Sequence, residues 1–322
     1  MEKNMTNREF RKLVEAVKEE MMKNAHGMRA ANKLVGVSGE RHKLPLEGRE
    51  VEIVLYPALN DDGSVMEGKQ PLIVGYHGGG FVFGGCALDD DMWVAVTKTL
   101  HVNVASVDYR MSPEYKWKET FLDAYDAVLF LAAHAEEFGF DGNHISVMGQ
   151  SAGGNLAASV SLWANVKQSV KLDNTVLVYP FLDVYTDPDS KGGGSLTGPM
   201  TYAMNELHCD FEDTLNPLVS PVYAEPFMLK GLPNTIFDYS EDDNLRFEGM
   251  KYAEKLKEAG VSVHENLSEG MPHGFFESGF KTPTEFEMKN LLGERGEEIV
   301  ADGSLAKRSK EALDYINACF VR

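Results

Sequence analysis

Between residues 51 and 267 the chain alternates between two periods. Short runs rich in β-branched residues predict strands at Val51–Tyr56, Pro71–Tyr76, Val102–Val107, Ile145–Met148, Thr175–Tyr179, Thr235–Tyr239 and Val261–Leu267. Longer stretches with apolar residues at helical spacing predict helices at Asp90–Leu100, Glu119–Phe138, Gly153–Val166 and Arg246–Ala259, with a last one at Leu305–Phe320. Strand–helix alternation of this kind means crossover units, and hence a mostly parallel sheet with helices on both faces. The pairs Ile73-Val74 and Leu177-Val178 suit strands buried on both sides. The fold class is therefore α/β.

Two stretches depart from the alternation. Near the N-terminus Phe10, Leu13, Val14, Val17 and Met21 share one helical face, with Glu15, Lys18 and Glu19 between them. The whole segment 1–45 reads as helical. Residues 183–224 interrupt the pattern later, and Gly192, Gly193, Gly194 and Pro199 mark a mobile loop there. The expectation is that both excursions meet as a cap over the sheet edge. That assigns 1–45 to N-terminal cap helices, 183–224 to a cap insertion, and 46–182 with 225–322 to the core. Two unrelated surface insertions are the alternative. The polar stretch Lys281–Gly303 has no functional reading.

Composition narrows the class. The chain has 322 residues, enough for one large domain or two smaller ones. Its 31 basic and 50 acidic side chains give a formal charge of −19, which argues against a nucleic-acid or anionic-membrane partner. Cys86, Cys209 and Cys319 are too few and too scattered for a disulfide framework, and none forms a C-x-x-C pair. They read as free thiols in a reducing compartment, so the expected location is the cytoplasm and no zinc site is expected. Charges interrupt the N-terminus throughout, unlike a signal peptide, and no apolar run reaches the length of a membrane helix. A calcium loop starting at Asp187 fails, because Lys191 occupies a ligand position and Gly198 stands where the bidentate acid belongs.

The sharpest chemical signal is Gly149-Gln150-Ser151-Ala152-Gly153, between a predicted strand and a predicted helix. A serine on so tight a turn presents its hydroxyl at the carboxyl end of the sheet, and glycines flank it because a Cβ would strike neighbouring backbone. The following helix points its positive end at the same place. A small-residue packing turn is the bland alternative. His77-Gly78-Gly79-Gly80 also follows an apolar strand, and such a run lets backbone N–H groups face a bound oxyanion. Serine needs a base and the base needs an acid. Of nine histidines, His273 in Gly270-Met271-Pro272-His273-Gly274-Phe275 stands on a loop after the last strand, where a base belongs. His26, His42, His101, His134, His144 and His208 fall in helical or surface patterns, and His264 lies within a strand. The acid should precede the histidine, and Glu241, Asp242 and Asp243 all qualify. That acidic cluster would equally serve as a helix cap.

Four motifs in this order resemble the hormone-sensitive-lipase-like carboxylesterases of the α/β-hydrolase superfamily. They are His77–Gly80, Gly149–Gly154, the segment Asp243-Asn244-Leu245-Arg246-Phe247-Glu248-Gly249, and His273-Gly274-Phe275. The resemblance runs from about residue 50 to about residue 280. It implies an α/β-hydrolase core with a helical cap, Asp243 as the acid, and Gly79, Gly80 and Ala152 as oxyanion-hole donors. The stretch from Asp108 to Glu114 is similar to the family's D-Y-R segment, which supports the site, and Pro217–Pro221 to its re-entry after the cap. Asn244 in place of proline, Lys116-Trp117-Lys118 and a longer tail depart from the pattern. No cofactor or metal is implied.

The resulting expectation is a serine esterase for short acyl esters, such as acetyl esters of sugars or small alcohols. Phe81, Phe83, Tyr109, Tyr202 and Phe275 are candidate pocket residues, with Trp93 and Phe181 beside them. An aminopeptidase or amidase, a lyase on the same fold, and a non-catalytic small-molecule receptor are the other readings. The sequence carries no symmetry signal, and a homodimer through sheet-edge elements is the candidate association.

Overall fold

Three strands of five or six residues with every residue buried form the centre of the sheet, where neighbours on both sides take up their backbone N–H and C=O groups. In the computed structural model, which describes residues 6–192 and 198–322, the strands are β1 (Glu40–Leu46), β2 (Arg49–Tyr56), β3 (Leu72–Tyr76), β4 (Asn103–Val107), β5 (Ile145–Gln150), β6 (Asn174–Val178), β7 (Asn234–Ser240) and β8 (Val263–Ser268). They form one sheet of eight strands in the order β1-β2-β4-β3-β5-β6-β7-β8. The pairs β1–β2 and β2–β4 are antiparallel and the rest parallel. Every residue of β3, β5 and β6 is buried. Gly193 and Gly194 of the predicted loop lie outside the described residues.

Helices cover both faces. On one, α2 (Asp90–Leu100) packs with the C-terminal helix, and Trp93 fills the space over β3. A Cβ at Gly75 would meet the Trp93 ring at 2.6 Å, so the indole lies flush on the strand because that residue has no side chain. On the other face lie α3 (Trp117–Ala133), α4 (Ala152–Lys167) and a helix that follows β7. The predicted helix at 119–138 breaks at His134, whose ring stacks on Phe130 and whose backbone caps α3.

One correction concerns the N-terminal segment. It is helical only through α1 (Asn7–Leu34), and Glu40–Leu46 form β1 instead. This edge strand buries only Leu44, so its polar pattern carries no strand signal.

Helix α1 packs against α5 (Pro199–His208), the one long helix of the second excursion. Val14, Met21 and Ala25 meet Ala203, Met204 and Leu207, together with Val82 and Phe83 from the loop after β3. The rings of Phe10 and Tyr202 meet edge to face at 5.0 Å. Lys116 and Trp117, departures from the family pattern, anchor this region: Trp117 Nε1 donates to Asp213 at 2.7 Å and Lys116 to the Glu206 carbonyl at 3.2 Å. The helix that follows β7 is α6 (Leu245–Glu258); beyond β8 come a helical turn at Phe275–Ser278, several short turns between 285 and 301, and the C-terminal helix α7 (Ser304–Cys319). Among the described residues no helix is long and apolar enough to cross a membrane.

Candidate active site

Ser151 sits between the end of β5 and the first residue of α4, with φ +54 and ψ −118. L-residues rarely adopt this backbone, and here the surroundings enforce it. The Ser151 N–H donates to the Val178 carbonyl at 3.0 Å, and its own carbonyl accepts from Phe181 N–H at 3.0 Å. A Cβ at Gly149 would overlap the Gly153 carbonyl, and one at Gly153 would overlap that of Tyr76. The glycines are thus required by close backbone approach. The turn holds the serine hydroxyl above the carboxyl ends of the strands.

His273 stands on the loop after β8 and reaches back to this hydroxyl. Its Nε2 lies 2.9 Å from Ser151 Oγ, and its Nδ1 lies 2.5 Å from Asp243 Oδ2. All three residues are buried. A proton on Nδ1, donated to the carboxylate, leaves Nε2 free to accept from serine. Burial pulls the imidazole pKa down, but the charge and hydrogen bond of Asp243, with Glu277 and Glu248 adding, hold it above its ordinary value.

The other candidate carboxylates point elsewhere. Asp242 Oδ2 pairs with Arg295 at 3.3 Å, and Glu241 accepts from Gly270 N–H at 2.7 Å. Asp243 also takes the Leu245 N–H at 3.0 Å, so Asn244 in place of proline leaves its position intact. The buried His77 and His208 serve as packing: His208 stacks on Phe81 with centroids 3.6 Å apart, and burial lowers its pKa to about 3.

Gly79 and Gly80 adopt φ +112 and +61 beside Ser151. Among the described residues no carbonyl takes up either N–H. Ala152 opens α4, where first-turn N–H groups have no partner within the helix. This leaves unengaged donors close to the serine at the positive end of a helix. Tyr109 supports the glycine run from below. Its ring stacks on His77 at 4.2 Å, and its hydroxyl donates to the His77 carbonyl at 2.6 Å. Nearby, Arg110 Nε donates to the fully buried Asp123 at 2.8 Å, so the Asp108–Glu114 stretch is scaffolding.

A cavity of about 120 Å³ opens over Ser151 and His273. Phe83, one of the predicted pocket residues, lines it, as do Phe181, Met200 and Met204. Four other candidates are placed differently. Phe81 is buried against His208, Tyr109 lies under His77, and Phe275 packs against Tyr179 in the core. Tyr202 packs on Phe10 and bonds Asp187. Aromatic identity alone did not reveal which way each ring points. Sequence reasoning also missed Asp89, Glu277, Lys281, Phe286 and Glu287, which all line the cavity. Glu277 lies four residues past His273, on a turn that brings it back to the site. The others sit in charged stretches that read as solvated surface.

Residues 73–277 match the family model described as alpha/beta hydrolase fold. The chain is 33% identical to an arylesterase of Saccharolobus solfataricus over 73% of its own length and 76% of that protein. It is 30% identical to the carboxylesterase NlhH of Mycobacterium tuberculosis over 69% and 72% of the two chains. Among solved structures it is similar to a thermostable esterase from Pseudomonas putida, with a TM-score of 0.75, 25% identity and coverage of 96% and 92%.

Proposed function

We propose that this chain, which belongs to the α/β-hydrolase family and is a carboxylic ester hydrolase of the hormone-sensitive-lipase-like group, cleaves short-chain acyl esters through Ser151, His273 and Asp243. The observation that carries the reading is the buried line of hydrogen bonds from Ser151 Oγ through His273 to Asp243. His273 takes the serine proton as Oγ attacks the ester carbonyl. Asp243 holds the imidazole in the required tautomer and offsets its charge. The N–H groups of Gly79, Gly80 and Ala152 receive the oxyanion, a contribution worth roughly 100–1,000-fold per donor. His273 then protonates the leaving alcohol. Water enters, and the same steps in reverse order of roles release the acid.

The small cavity, lined by Met200, Met204 and Phe83, supports a short acyl chain such as acetyl or butyryl. Acetylated sugars or small alcohols fit that description. The unpaired, buried Cys86 and Cys209 suit a reducing cytoplasm. The test is hydrolysis of p-nitrophenyl acetate, butyrate, octanoate and palmitate by the intact protein and by Ser151→Ala. Preference for acetate or butyrate, lost with the serine, is expected. Preference for octanoate or longer chains overturns the short-acyl reading, and unchanged activity in Ser151→Ala overturns the nucleophile.

A further inference from the structure

We infer that the charged wall of the cavity selects esters whose alcohol carries a positive charge, with Glu277 as its anionic partner; the inference rests on the serine-hydrolase reading above.

Three carboxylates, Asp89, Glu277 and Glu287, line the cavity together with one ammonium, that of Lys281. The ammonium is already engaged. Lys281 Nζ lies 2.9 Å from Glu287 and 3.3 Å from Asp89, and it donates to the Leu88 carbonyl at 3.0 Å. Asp89 also accepts from Gln150 Nε2 at 2.8 Å, and Glu287 caps its own turn through Thr284 N–H at 2.7 Å. Glu277 is different. It is 7% exposed, and its hydrogen-bond donor is the neutral phenol of Tyr179. Among the described residues no Lys or Arg pairs with it. A buried carboxylate in that condition is costly to ionise, and burial, with Asp89 adding, pushes its pKa up to about 7. Lys281 and His273 act on it through space without forming an ion pair, so a cation in the cavity would supply a direct partner.

Two further features point to a polar ligand here. Thr201 lines the same cavity, is 4% exposed, and its hydroxyl has no hydrogen-bond partner. Phe83 and Phe286, whose ring centroids lie 5.6 Å apart, also line the cavity, and aromatic rings attract an ammonium that meets their faces.

The position of Glu277 says which part of the ester it meets. The leaving alcohol is protonated by His273, so it must lie on the histidine side. The Tyr179 ring packs against His273 at 4.8 Å, and the same tyrosine holds Glu277. Met204, by contrast, abuts the Gly80 backbone, which places it beside the acyl carbonyl. The charged wall therefore faces the alcohol and the methionines face the acyl chain.

The test compares butyrylcholine with 3,3-dimethylbutyl butyrate, which has the same shape with carbon in place of the charged nitrogen. The intact protein should favour the cationic ester in kcat/KM by about tenfold or more, the scale of a desolvated charge pair. Glu277→Gln should bring the ratio towards one. If that variant does not fold, competition decides with the intact protein: choline should inhibit p-nitrophenyl butyrate hydrolysis more strongly than 3,3-dimethylbutanol. Equal rates for the two esters, an unchanged ratio in Glu277→Gln, equal inhibition by the two alcohols, or a preference for glycerol monobutyrate over butyrylcholine each overturn the inference. In those cases neutral esters are still hydrolysed, and the esterase reading stands. Failure to hydrolyse any of these esters overturns both.

Discussion

Ser151, Asp243 and His273 stand just beyond β5, β7 and β8, tied to the sheet by backbone hydrogen bonds and close glycine contacts. Met28, Met200 and Met204, which roof the same cavity, come from α1 and α5. Those helices meet through a separate apolar cluster and through partly exposed ion pairs of Arg11 and Lys18 with Glu206. The chemistry thus rests on turns anchored to the sheet by those bonds and contacts, where a small displacement would cost rate. Selection rests on side chains with three rotatable bonds that can repack around different ligands. The difference teaches that changes at the sheet ends should act on turnover, and changes in the roof on substrate preference.

The sharpest way to break that contrast is at the serine. Ser151→Ala is expected to lower kcat by about 10⁴-fold or more while leaving the melting temperature near its original value. Next comes the glycine loop. Gly79→Ala places a Cβ onto the Phe83 carbonyl at a φ of +112, so the loop must shift, and kcat should fall by roughly 100–1,000-fold. Gly80→Ala meets only the flexible end of Met204 and should lose less. Steady-state kinetics of the two variants side by side checks this order.

In the roof, Met204→Ala should raise the octanoate-to-acetate ratio of kcat/KM by about tenfold, the scale of one or two methylenes of added space, with little change in the rate on acetate. A collapse of turnover on every ester would contradict the division between floor and roof.

A smaller effect concerns pH. Only neutral His273 accepts the serine proton, so activity is lost as pH falls through its pKa. That pKa is held above the ordinary 6.5, and the acid limb of kcat/KM should therefore lie above 6.5. Glu277→Gln removes one of the charges that raise it, so the limb should move to lower pH. The smallest expected effect is in the partly exposed ion pairs of Glu206: Glu206→Gln should cost about 1 kcal/mol or less in denaturant unfolding.

The same division governs what could be read in the sequence. Ser151 and the glycine run after β3 were legible because close backbone contact dictates residue type within a few positions. The acid was not separable by mechanics alone, since Glu241, Asp242 and Asp243 share one turn; only the fold turns Asp243 to His273 while Asp242 meets Arg295. β1 escaped notice because an edge strand with one buried residue has no apolar alternation. The pocket escaped for a further reason. Phe286 and Glu287 sit in a stretch that looks like solvated surface, and the cavity wall exists only once that stretch folds back against the histidine loop and Phe83.

The most direct test of the account is covalent. Diethyl p-nitrophenyl phosphate reacts with an activated serine and leaves a stable diethylphosphoryl ester, which peptide mass spectrometry can locate. The account predicts a single adduct on Ser151, formed in step with loss of esterase activity and absent from both Ser151→Ala and His273→Ala. An adduct on another residue, or full inactivation with Ser151 unmodified, would contradict it.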